Sequence, residues 1–421
     1  MIHRQSNHLI MPGMASAHSH AFQRALRGRT QQRSPHPQPL SRQTGEGSAP
    51  INFWGWRDQM FRLVSQLTPD DVFNISRFAF CELAMSGVTA VGEFHYVHHD
   101  VGGQPYANRL EMSAAVMRAA QEAGIRMTLI RTAYFRAGYK QDLHEGQKRF
   151  CDVGVDEVLR DVEALTSEVR DQRSEVRMGL AAHSIRACER WQVRELAAYA
   201  RQHAMPFHMH VSEQRREDQE CVDEYGLRPA QMLAEDGILD ERFVAIHGTH
   251  LTQGEIELMG AANASVCMCR TTERDLGDGY PNVAAMRQAG IRLCVGADSH
   301  AGSDAFEEVR AIELDDRSRA EKRIVAAEAD ALLAIATTNG YAAIGLADVA
   351  DQDEVHLRSD DASLAAISDE LLNDAVMFGA NPRAIDKVLV QGNVIVEGGR
   401  HVRYDEALRG YKTSLKRMGW L

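Results

Sequence analysis

Eight short apolar runs recur along this 421-residue chain, at residues 14–18, 88–95, 126–133, 177–183, 206–211, 242–247, 264–269 and 291–298. Each reads as a β-strand. Helix-period segments lie between most of them, among them 108–124, 155–169, 189–204, 228–236, 253–261 and 282–289. Strands that alternate with helices pair in parallel. Eight such units predict an α/β chain folded as a closed (β/α)8 TIM-type barrel over residues 11–345, with an open doubly wound sheet as the alternative. A barrel of this kind presents its chemistry at the C-terminal strand ends.

The strand ends carry metal-binding side chains. The first run leads into His18-Ser19-His20, the fifth into His208-Met209-His210 with Glu213 three residues on, the sixth ends at His247 and the eighth at Asp298. In His18-x-His20 both imidazoles fall on one strand face and can reach a single ion. His210 is the preferred ligand of its pair because it is nearest the strand end and Glu213; His208 reads as a supporting histidine. Asp298 can touch the metal and take a proton from its water. His247 can orient that water or stabilise developing charge, a role for which His250 competes. Three imidazoles and a carboxylate suit one divalent metal with a position left for water, a set that implies metal-assisted hydrolysis.

The formal net charge of −12 argues against nucleic acid as a partner, because a phosphate-binding surface is basic. A few local arginines can still define a pocket for a small anion. Seven cysteines without a C-x-x-C pair read as reduced thiols of a cytoplasmic protein, and Cys267-x-Cys269 as small core side chains. No signal-peptide stretch and no run of 18 apolar residues occurs, so a soluble protein away from membranes is expected. Residues 29–51, rich in Pro, Gly, Ser and Thr, read as an inserted excursion, and a polar Ser-Glu-Val-Arg repeat at 167–170 and 174–177 lengthens the connection before the fourth strand. After 345 short β-like stretches follow, at 351–355, 375–378, 385–390 and 393–396. They predict a small β-sandwich-like domain from residues 1–10 and 346–403, and then a C-terminal helix within 404–421.

Taken together, these residues resemble the amidohydrolase superfamily in its single-metal deaminase branch. Binuclear barrels of this type bridge their metals with a modified lysine at the fourth strand end; here His183 stands there, which favours one metal. Pro12-Gly13-Met14, His18-Ser19-His20-Ala21-Phe22-Gln23-Arg24, Phe53-Trp54-Gly55-Trp56-Arg57 and Glu93-Phe94-His95-Tyr96-Val97-His98-His99 are more specific. They are similar to the formimidoylglutamate deiminase family, the N-formimino-L-glutamate iminohydrolases of histidine degradation. The resemblance runs from about residue 10 to the C-terminus, interrupted by the two inserts. Such relatives carry more β structure before the Pro-Gly-Met stretch than the roughly ten residues here. The small domain is therefore expected mostly from the C-terminal segment, with exposed edges or a missing layer.

The resemblance implies that His18, His20, His210 and Asp298 hold one Zn2+ per chain. It implies that Glu213 and His247 join Asp298 in proton handling, that Gln23 lies beside the metal, and that Arg57, Tyr96, His183 and Arg186 bind the two carboxylates of a small amidine substrate. Barrels of this branch are often homodimers. Guanidinium forks suit bidentate carboxylate contacts. Two other readings differ in their expectations. A deaminase of the same branch acting on a purine, pterin or related ring would show an aromatic stacking wall and fewer arginines. A catalytically dead barrel kept as a binding protein would have lost a ligand or the acid.

Overall fold

The structure is a computed structural model that describes residues 1–31, 53–171 and 176–421. Residues 32–51 of the expected insert, and 172–175 within the polar repeat, lie outside the described residues. In chain order the strands are β1 (His3–Gln5), β2 (His8–Pro12), β3 (Met14–Ser19), β4 (Val88–His95), β5 (Arg126–Ala133), β6 (Val176–Ser184), β7 (Phe207–Val211), β8 (Phe243–His247), β9 (Ser265–Met268), β10 (Arg292–Val295), β11 (Asp353–Arg358), β12 (Ile385–Val390), β13 (Asn393–Glu397) and β14 (Arg400–His401).

β3 to β10 form one parallel sheet in sequential order, the eight strands of a barrel. The ladder does not continue from β10 to β3. The seam is closed instead by an isolated parallel bridge between Ser19 and Asp298, made of two hydrogen bonds: the Asp298 N–H to the His18 carbonyl at 3.1 Å, and the His20 N–H to the Asp298 carbonyl at 2.9 Å. The backbone that closes the barrel thus carries three of the expected metal ligands. Gly296 makes that approach feasible, since a Cβ there would lie 2.7 Å from the His18 Cβ and 2.8 Å from its carbonyl oxygen.

The helices Phe53–Val64 and Pro69–Met85 follow the first barrel strand. The second starts at a Thr68–Asp71 capping box with Pro69 in its first turn. The C-terminal helix Tyr404–Arg417 packs on it, Tyr411 stacking on Phe78 at 4.8 Å.

The small β unit is a single antiparallel sheet in the order β1-β2-β11-β12-β13-β14, so both N-terminal strands join the C-terminal ones. Residues 375–378, expected as a strand, are helical within Leu372–Gly379. Four apolar residues cannot by themselves distinguish strand from helix. Here Asp374 lies in the first helical turn, where the helix dipole favours acid, and Val376 and Met377 are buried.

Asp353 ties the sheet to the barrel. Its carboxylate accepts from Arg126 Nε at 2.8 Å and Nη2 at 3.0 Å, from the Tyr341 hydroxyl at 2.6 Å and from the Gln391 N–H at 3.1 Å. Both charged partners are essentially inaccessible to water. Removing one member leaves the other buried and uncompensated, at about 3–5 kcal/mol. Asp353→Ala is therefore expected to lower the urea midpoint of unfolding by that amount of stability, measured by circular dichroism, while Asp353→Asn loses less.

Candidate active site

The strand ends converge on one cavity of about 650 Å³, including its open mouth. His20, His210, Glu213, His247 and Asp298 line it, as do Gln23, Arg57, Tyr96, His183 and Arg186. His18 lies behind them, fully buried. Every site residue expected from the sequence is thus at or directly behind one cavity. His250 does not line it, and His208 is a core residue whose Nε2–H donates to the Ala343 carbonyl at 2.9 Å.

Side-chain nitrogens of His18, His20 and His210 lie within 4.8 Å of one another. Asp298 Oδ1 is 3.4 Å from Nε2 of both His18 and His20. His20 Nδ1–H donates to the Phe94 carbonyl and His210 Nδ1–H to the His183 carbonyl, each at 2.9 Å. These bonds fix the tautomer and leave each Nε2 with a free lone pair. Among the described residues neither ring nitrogen of the buried His18 has a hydrogen-bond partner. Burial comes first among the causes that hold all three rings neutral, with repulsion between the imidazoles adding to it; His20 is pushed down to about 3. Neutral, pre-aimed imidazoles beside a carboxylate are what a divalent metal needs, and the orphaned nitrogens of His18 would otherwise carry a desolvation cost.

His247 sits among three carboxylates. Its Nε2 is 3.7 Å from Glu213 Oε1 and 3.8 Å from Asp298 Oδ2, and its Nδ1 is 3.2 Å from Glu273 Oε1. Burial alone would lower its pKa, but Glu213, Glu273 and Asp298 together raise it to about 10. The contact to Glu273 fixes the Nδ1 side of the ring and leaves Nε2 facing Glu213, Asp298 and the cavity. Burial raises the pKa of Asp298, with the charge on His247 opposing it. Ser212, His247 and Asp298 all adopt left-handed backbone, with φ of 51°, 71° and 44°. Such conformations cost energy in residues other than glycine and cluster where function holds them.

The rest of the cavity lining is cationic and aromatic. The half-buried Arg57 packs over Trp54 at 4.5 Å and over Phe61 at 5.4 Å. Among the described residues no carboxylate pairs with it, and its Nε has no partner. Arg186 differs: Nη2 donates to Glu213 Oε2 at 2.9 Å, and Nε is 3.5 Å from Glu217 Oε2. It therefore orients Glu213 while its remaining N–H groups stay available. Gln23 Nε2 donates to the Tyr96 hydroxyl at 2.9 Å.

Three residues of this environment carried no mark in the sequence. Glu273 lies one turn into the helix Arg270–Leu276 after β9, and Glu217 in the helix Arg215–Tyr225 after β7, both beyond the strand-end positions that drew attention. Tyr134 directly follows β5 and could have been found by the same strand-end rule that found His247.

The amidohydrolase family profile matches residues 9–395. The formimidoylglutamate deiminase of Pseudomonas aeruginosa is 34% identical over 415 residues, covering 96% of this chain and 88% of the relative. The 5-methylthioadenosine/S-adenosylhomocysteine deaminase of Natronomonas pharaonis is 27% identical, covering 94% and 83%. Among solved structures, an amidohydrolase from Brucella melitensis superposes with a TM-score of 0.88 at 29% identity, covering 99% of this chain and 95% of that one. A zinc-bound adenosine deaminase from Xanthomonas campestris has the same fold, with a TM-score of 0.79 at 20% identity. With its parallel barrel and the histidine cluster at the strand ends, the chain belongs to the amidohydrolase family and is a hydrolase of carbon–nitrogen bonds.

Proposed function

We propose that this protein hydrolyses N-formimino-L-glutamate to N-formyl-L-glutamate and ammonia, a step of histidine degradation, with one Zn2+ per chain and in the cytoplasm. The observation that carries this reading is Arg57, a half-buried guanidinium without a carboxylate partner among the described residues, facing the cavity that the histidine cluster shares. A dicarboxylate amidine supplies both the missing anion and a hydrolysable carbon. The similarity to the Pseudomonas aeruginosa deiminase supports the same substrate.

His18, His20, His210 and Asp298 would hold the zinc. Bound there, zinc lowers the pKa of a water toward neutrality and so supplies a nucleophile. Asp298 accepts the proton of the attacking water. Glu213, held by Arg186, contacts the imino nitrogen and delivers a proton to it. His247, set between Glu213, Asp298 and Glu273, steadies the tetrahedral intermediate. As the intermediate collapses, its hydroxyl returns a proton to Glu213, the proton held by Asp298 passes to the amino nitrogen, and ammonia leaves. Arg57 and Arg186 clamp one substrate carboxylate, Tyr96 and His183 serve the other, and Gln23 lies beside the metal.

A ring deaminase is the second reading, favoured by the aromatic side chains Phe53, Trp56, Phe61 and Phe150 on the same cavity wall. Ammonia release by the zinc-loaded protein, with N-formimino-L-glutamate, adenosine and guanine run side by side, tests both. Release from the formimino compound alone is expected; release from adenosine or guanine alone would select the ring reading.

A further inference from the structure

Tyr134 lines the cavity, yet none of the steps above uses it. Its hydroxyl oxygen accepts a hydrogen bond from Gln147 Nε2 at 2.7 Å. The direction of that bond is set by the other end of the same amide. Gln147 Oε1 accepts the His144 N–H at 2.8 Å, completing a capping box at the start of the 3-10 turn Glu145–Arg149. A flipped amide would face that N–H with a second donor, so Nε2 is the atom on Tyr134. With its oxygen engaged as acceptor, the phenol must direct its own hydrogen elsewhere. Among the described residues no acceptor takes it.

The ring cannot readily turn away. It packs edge-on against His183 at 4.9 Å and Phe150 at 5.5 Å. Burial pushes the phenol up to about 12, so it keeps its hydrogen at neutral pH, and Arg186 and Arg57 are close enough for their charges to act on it. A donor without an acceptor, fixed in direction and set beside two guanidiniums, has the chemistry of one arm of an anion site.

We infer that Tyr134 is a further substrate-binding residue, whose hydroxyl donates a hydrogen bond to the carboxylate held by Arg57 and Arg186, with Gln147 as its positioning residue. The inference rests on the dicarboxylate reading of the cavity given above.

Two measurements on the zinc-loaded full chain test it: steady-state ammonia release from N-formimino-L-glutamate, and calorimetric binding of glutarate, a dicarboxylate with nothing to hydrolyse. Tyr134→Phe is expected to raise KM about tenfold, the loss of one charge-assisted hydrogen bond, with kcat within about twofold, and to weaken glutarate by a similar factor. Gln147→Glu keeps the capping acceptor but turns the phenol hydrogen onto itself, and should weaken both at least as much. A Tyr134→Phe protein with unchanged KM and unchanged glutarate affinity overturns the inference, as does a fall in kcat alone. If the wild type binds glutarate but releases no ammonia, and Tyr134→Phe weakens glutarate, the substrate reading fails and the Tyr134 assignment stands. Absence of both ammonia release and glutarate binding in the wild type overturns both.

Discussion

Asp298→Asn is expected to lower kcat about a thousandfold, within the range by which a positioned general base accelerates proton transfer. The amide keeps the size of the side chain and its place at the barrel seam, where the backbone of residue 298 bonds to His18 and His20. It cannot take a proton. Zinc content measured on the same sample separates loss of the base from loss of the metal, because His18, His20 and His210 remain. Full turnover by the variant would remove Asp298 from the mechanism. Glu213→Gln, which keeps the contact to Arg186 but removes the acid, is the natural companion and should also lose most of its kcat.

Removal of zinc by a chelator is expected to abolish ammonia release, and about one equivalent per chain to restore it. The same treatment should lower the melting temperature. Among the described residues the imidazole of His18 has no hydrogen-bond partner, and the rings of His20 and His210 are each hydrogen-bonded only through Nδ1. At free zinc a hundredfold above its Kd, mass action alone stabilises the folded chain by about 2.7 kcal/mol. Metal analysis with a thermal melt checks both parts. Undiminished turnover after the metal has been stripped would contradict the assignment.

The barrel was legible because its strands are short, apolar and separated by amphipathic helices; each observed strand falls within a few residues of its expected place. The helix Pro69–Met85 was not foreseen. It is covered on several sides, by the helices Glu111–Ala123 and Tyr404–Arg417 among others, so Ile75, Phe78, Phe80, Cys81 and Leu83 are all buried and no single apolar stripe stands out. Residues 375–378 misled for the opposite reason, being too short a run to show a period.

In the site, the ligand and proton-handling candidates were found because they end strands. The supporting groups were not, because they act across distance in sequence: Glu273 reaches His247 from 26 residues away, and Gln147 reaches Tyr134 from a loop. The arginines needed a family resemblance, since a lone arginine carries no pattern. Only the structure shows that Arg57 is free of carboxylates among the described residues while Arg186 already holds Glu213.

The tetrahedral carbon formed from N-formimino-L-glutamate carries two nitrogens, and either could leave. In the proposed mechanism Glu213 protonates the imino nitrogen, so ammonia is the group that departs. The most direct test is to follow N-formimino-L-glutamate labelled with 13C at the formimino carbon by NMR, in the presence of the zinc-loaded protein. The proposed reaction places the label in N-formyl-L-glutamate, matched by one ammonia per turnover. Label appearing in formamide, with free glutamate beside it, or remaining in the unreacted compound, would contradict it.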